Sequence, residues 1–180
     1  MNFKLKFSVL VACFALSSCL EHNEATESNE VKESKKDSNR LTFEIDLETS
    51  NADDFVLFAN DVFLNNSQFM NIGITHKLNM NETSKKIKFE FPENIKPDAM
   101  LGFGLGNKNT KEVTIKNINL SYGDAVFNIH QNEIQNYFSF NKFIEYDSIA
   151  NTIKTKKVDN ALNPLLFLRR KILDSIQKVD

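Results

Sequence analysis

Thiols and tryptophan are what this 180-residue chain lacks most plainly: it has no Trp, and its two cysteines, Cys13 and Cys19, both fall in the first 19 residues. Everything beyond Cys19 is therefore closed to disulfides, thiol catalysis and Cys-ligated zinc. Only five glycines and three prolines are present, too few for a low-complexity or collagen-like chain. With 22 basic against 24 acidic residues there is no basic excess, so no nucleic-acid partner is expected. The three histidines, His22, His76 and His130, share no metal-ligand spacing, and a zinc site needs three or four convergent ligands. His76 is expected instead as a satisfied side chain at the edge of a core.

What the chain does have begins at its first residue. Lys4 and Lys6 form a positive n-region, Phe7–Leu16 an apolar h-region of ten residues, and Leu16-Ser17-Ser18-Cys19 follows directly. This is the pattern of a signal peptide, about half the length of a spanning helix. The final four residues resemble the lipobox of bacterial lipoproteins. That resemblance implies cleavage between Ser18 and Cys19, diacylglycerol and an N-acyl chain on Cys19, and a stable membrane anchor. An ordinary secretory signal cut after Ser17 is the alternative, and it leaves the position of Cys19 to chance.

Three segments follow: residues 1–18 as signal, 19–40 as lipidated cysteine and tether, and 41–180 as one folded domain. Removal of Lys4 and Lys6 with the signal leaves 20 basic against 24 acidic residues, a formal charge of −4. Leu20–Arg40 is nearly all polar and spans roughly 70 Å when extended, enough to hold a domain clear of lipid head groups. Its first charges are Glu21, Glu24, Glu27 and Glu30, similar to the surface-export signal of lipoproteins in Bacteroidota. That similarity implies an outer-membrane location with surface exposure; an acidic tether that merely stays solvated has the same composition.

From Leu41 the periodicity is two. Leu41, Phe43, Ile45 and Leu47 alternate with Thr42, Glu44, Asp46 and Glu48, and a second alternation runs from Met70 to Met80. Phe55–Ala59 is a short apolar run, Ile87, Phe89 and Phe91 form another strand, and Leu101, Phe103 and Leu105 interleave with Gly102, Gly104 and Gly106. Val113 and Ile115 lie on one parity and Ile118, Leu120 and Tyr122 on the other, which predicts a bulge near Lys116-Asn117. Gly123-Asp124 fits a two-residue hairpin leading into Ala125–Ile129. Asn132 is a cap for a short helical turn through Tyr137, and Phe143–Tyr146 and Thr152–Val158 read as late strands. Short strands separated by turns predict an all-β antiparallel sandwich, jelly-roll-like.

Only the C-terminus changes period. Asn163-Pro164 reads as a helix start, with Leu165, Leu168, Ile172, Ile176 and Val179 along one face and Arg169-Arg170-Lys171 on the flank. This predicts a helix from about residue 164, either packed on the sandwich or lying on a membrane surface. A basic cluster of only three residues favours packing.

Pro92-Glu93-Asn94-Ile95-Lys96, the glycine-rich strand and Val113–Gly123 together resemble the late strands of galactose-binding-like jelly rolls, which include many carbohydrate-binding modules. Lys116 stands where that family's I-D-N-I-x-L pattern has its acid. The resemblance implies a sandwich that recognises ligands, with Tyr122, Tyr137 and Tyr146 as ring platforms and the many asparagines as hydrogen bonders. Asn51, Asp53 and Asp54 are weak candidates for a calcium ion, although Asx turns use the same residues. Gly102-x-Gly104-x-Gly106 lies along a strand, whereas a dinucleotide cradle opens a helix, so these glycines leave room for a neighbour. No nucleophile elbow or paired carboxylates appear, and no catalysis or cofactor beyond the anchor's lipid is expected. The expected function is recognition of a glycan or other ligand; the alternative is an assembly lipoprotein that binds other envelope proteins.

Overall fold

In the computed structural model, residues 40–64, 68–79, 82, 84–93 and 95–178 are described. Residues 1–39, which carry the expected signal, Cys19 and all but the last residue of the expected tether, lie outside them. The described chain is an all-β sandwich of two antiparallel sheets with a short C-terminal helix.

The first sheet runs β4 (Ser84–Glu90), β1 (Thr42–Thr49), β6 (Glu112–Tyr122), β10 (Thr152–Thr155), β9 (Ile144–Asp147). β6 is long enough to share one edge between two partners: β10 pairs at Glu112 and Val113, and β7 (Ala125–His130) pairs from Asn117 to Tyr122. The second sheet runs β3 (Gln68–Lys77), β2 (Asp54–Leu64), β5 (Met100–Gly104), β11 (Leu165–Leu168), β8 (Phe138–Phe140).

Alternation decides which side of each strand is buried. Along β1 the even-numbered residues Thr42 to Glu48 face out, while Phe43, Ile45 and Leu47 are at most 1% exposed. The predicted bulge is present: Asp46 pairs with Asn117 but Leu47 with Ile115, leaving Lys116 as the extra residue. Without it Val113 and Ile115 would turn outward, since one residue of slip exchanges the two faces. Gly123, at φ +54°, and Asp124 close the β6–β7 hairpin between paired Tyr122 and Ala125.

The sheets meet through phenylalanine. Phe103 of the second sheet contacts Phe43 and Phe89 of the first, with ring centroids 5.4 and 5.9 Å away, and stacks on Phe55 of its own sheet at 5.9 Å. All four rings are essentially inaccessible to solvent. Each contributes on the order of 1.5–3 kcal/mol by burial alone. This ring cluster, rather than any cross-link, joins the layers.

The C-terminus corrects the sequence-based expectation. Leu165–Leu168 is not the first turn of a helix but strand β11, and the helix α2 spans Arg170–Gln177. Leu-Leu-Phe-Leu fills the gap between β5 and β8, pairing with both, and that tertiary ladder outweighs the helical start signalled by Asn163-Pro164. The helix packs on the domain through Leu173 and Ile176, both buried, and Arg170 and Gln177 donate to the Asp98 carbonyl at 2.9 and 2.6 Å. Val179 lies outside the described residues. The turn before β8 also begins one residue before the expected cap, as a 3-10 turn from Gln131 that leads into α1 (Ile134–Tyr137).

Candidate functional site

The two outer faces of the sandwich were built from different residues. On the first sheet, cross-strand rows run Lys86–Asp46–Asn117–His130 and Lys88–Glu44–Asn119–Asn128. Part of this charge is paired: Lys88 with Glu90 at 2.6 Å and Glu44 at 3.7 Å, and Lys116 with Glu48 at 2.6 Å. A shallow cleft of about 430 Å³ lies among Glu44, Asp46, Lys86, Lys88, Asn117 and Asn119.

On the second sheet the corresponding rows run Gly73–Phe58–Gly102–Phe167 and Thr75–Val56–Gly104–Leu165. No charged residue occurs in either row. A Cβ on Gly102 would lie 2.7 and 2.8 Å from the two Cε atoms of Phe58 and closer still to its Cζ. Cε distances this short, with Cζ shorter still, put the missing Cβ over the face of the ring at its Cζ tip, so Phe58 lies face-down on the glycine. Phe167 meets Phe58 edge-on, with centroids 6.2 Å apart and planes at 88°. The room predicted beside the glycines is thus filled by an aromatic ring.

Next to Phe58 a cleft of about 490 Å³ opens over Val56, Gly104, Pro164 and Leu165, bordered by Asp54, Thr75, Asn107 and Asn163. Asp54 is held by Lys108 at 2.9 Å. The side chains of Thr75, Asn107 and Asn163 make no hydrogen bond to another described residue, so their donors and acceptors are free at the rim.

Below the rim, the loop between β5 and β6 is clamped from underneath. Asp53 and Lys111 form an ion pair whose side chains are both inaccessible to solvent. The Asp53 carboxylate also accepts from the backbone N–H groups of Asp54 at 2.8 Å, Lys108 at 3.0 Å and Asn109 at 3.3 Å. The Lys111 ammonium donates to Asp53 and to the Leu105 carbonyl at 2.8 Å, and lies 6.0 Å from the Phe55 ring centre. Burial pushes the Asp53 carboxyl up, but the ammonium and the backbone donors together outweigh it and hold the group below its ordinary value. Gly106, at φ +83°, is required here twice over: its backbone is left-handed, and a Cβ would collide with the Asp53 carboxylate.

These contacts revise the sequence-predicted sites. Asp53 faces an ammonium rather than open space, Asp54 is paired with Lys108, and the Asn51 side-chain amide donates to the Thr110 carbonyl at 3.0 Å. The Asp53 and Asp54 carboxylates proposed for calcium are therefore already paired with lysines. Tyr122 is 6% exposed and belongs to the core, so it offers no surface platform. Tyr137, in α1, is half-buried, and Tyr146 packs on Phe140 at 5.1 Å and donates to Asn151 Oδ1 at 3.0 Å. No ring contact joins two of these tyrosines among the described residues. His76 lies edge-on to Phe89 at 6.4 Å, but its buried Nε2 has no hydrogen-bond partner among the described residues, contrary to the satisfied side chain expected.

Sequence reasoning missed Phe58, Asn107 and Asn163. A signal existed for the first: Phe55–Ala59 is apolar at both parities, so in a sandwich of only two layers one apolar face of the strand is the outer one. Comparison with protein-family models, characterised proteins and solved structures finds no match to this chain. No helix among the described residues is long and apolar enough to cross a membrane.

Proposed function

We propose that this chain is an outer-membrane lipoprotein, anchored through acyl chains on Cys19, that carries a non-catalytic β-sandwich on a polar tether for recognition of a ligand outside the cytoplasm. The observation that carries the reading is Leu16-Ser17-Ser18-Cys19 directly behind a basic n-region and a ten-residue apolar run. A domain whose first strand begins at Thr42, about 20 residues beyond that cysteine, suits display at a distance from the bilayer.

Two features support recognition rather than catalysis. The Asp53–Lys111 pair is sealed from solvent, where a reacting group could not reach it. The cleft over Val56 and Gly104 is bordered by two amides, a hydroxyl and a carboxylate already paired with a lysine, which suits hydrogen bonding to a ligand.

The test is the intact mass of membrane-extracted protein, wild type against Cys19→Ala, together with protease shaving of whole cells. A chain starting at Cys19 with added acyl mass, absent in the variant and removed by shaving, is the expected result. An unacylated chain in the soluble fraction would overturn the anchor.

A further inference from the structure

Resting on the recognition reading, we propose that the outer face of the second sheet is the ligand site, and that it takes an uncharged sugar ring stacked on Phe58. The ring's inner face is spent on Gly102 and its edge on Phe167, so the face directed away from the sheet is a flat apolar platform held on two sides. Platforms of this kind suit a ligand with one apolar face. The cleft of about 490 Å³ beside it is within the range of small-molecule sites and continues the apolar floor over Val56, Gly104 and Leu165.

The rim decides what else the ligand must carry. Thr75, Asn107 and Asn163 offer free hydroxyl and amide groups, each able to donate and accept. Asp54 is the only acid lining the cleft, and Lys108 already neutralises it, so neither a cation nor an anion finds an unpaired counter-charge. A ligand with one apolar face and several hydroxyls, without charge, is what remains, and a pyranose has that form.

The fold argues against the other occupants. Phe58, Gly104 and Leu165 stand on β2, β5 and β11, each an interior strand with both edges paired, so an added peptide strand finds no free backbone ladder in the cleft. A fatty chain would make no use of the three free rim groups, which a hydroxylated ligand can bond.

The experiment is an array of neutral, sialylated and sulfated oligosaccharides probed with detergent-solubilised full-length protein, followed by titration of the best neutral glycan. Neutral hexose-containing glycans should bind without preference for the acidic ones. Phe58→Ala should weaken binding by at least about tenfold and Asn163→Ala by a few-fold, while Phe58→Tyr keeps the platform and the affinity. Lys154→Ala, an exposed lysine of the first sheet that lines neither cleft, should change nothing. Neutral-glycan binding that survives both Phe58→Ala and Asn163→Ala overturns the site but leaves the recognition reading intact. Absence of neutral-glycan binding by folded wild type at millimolar concentration, or binding of acidic glycans alone, overturns the ligand class. Cleavage of the glycans would instead refute the non-catalytic reading while leaving the cleft as the place where sugar sits.

Discussion

The two outer faces of the sandwich treat charge in opposite ways. The first sheet spreads it: Lys88 with Glu44 and Glu90, Lys116 with Glu48, and Lys154 with Glu112 are all exposed pairs. The second sheet keeps charge out of its two central rows, which hold glycine, phenylalanine and aliphatic residues, and its strongest pair is hidden under the rim at Asp53 and Lys111. Surface pairs are screened and cost side-chain entropy, so the charged face contributes solubility and guards the β4 edge with lysines rather than adding much stability. A buried pair behaves differently. Removing one partner leaves a charge without solvent or counter-charge, so breaking one hidden pair costs more than breaking several visible ones.

The largest break in that comparison should come from Lys111→Met alone, which strands the Asp53 carboxylate and should cost about 3–5 kcal/mol in urea unfolding. Combining it with Asp53→Leu should recover most of the charge penalty, leaving the lost loop hydrogen bonds; a double variant as weak as the single one would show that the pair's value is not charge compensation.

Next in size is Gly102→Val. A side chain there meets the Phe58 ring, so about 1–3 kcal/mol should be lost, and a Phe58→Ala background should absorb part of the cost. Additive losses measured by thermal unfolding would mean that Phe58 does not rest on the glycine as described.

Acid should distinguish the buried pair from the surface ones. Asp53 is held below its ordinary value of 3.8, so its contribution is complete above that value and is lost as pH falls through the lower folded-state pKa. Wild type should therefore lose stability steeply below about pH 4, whereas Asp53→Asn, weaker at pH 7, should show a shallower decline over the same range. Parallel curves from denaturant titrations at pH 7, 4 and 3 would refute the assignment. The smallest effect is expected on the charged face: Lys88→Ala should shift the melting midpoint by less than about 2 °C, and raised salt should diminish even that difference.

Much of the fold could be read in advance, and the reason is local. A strand with one wet face writes itself as alternation, so Leu41–Leu47, Ile87–Phe91 and the parity change at Lys116 were legible, and Gly123-Asp124 carries its own turn geometry. The candidate site was less legible. Tyr122, Tyr137 and Tyr146 have suitable chemistry, but parity alone does not say which ring remains at the surface, and Tyr122 lies in the core. Asp53 and Asp54 carry the composition of a turn or a calcium loop, and only the arrival of Lys111 and Lys108, more than 50 residues later, separates the two.

The sequence by itself determined the strand periodicity and the absence of thiols beyond Cys19, because each is a property of neighbouring residues or of composition. Tertiary structure decided the rest. Leu165–Leu168 became a strand because β5 and β8 left a gap that its backbone completes, against the local signal for a helix. Phe58 became a surface platform because Gly102, 44 residues away, has no side chain to hold the ring off the sheet. Both outcomes depend on partners that only the folded chain brings together, and long-range pairing has no local pattern in the residues that take part.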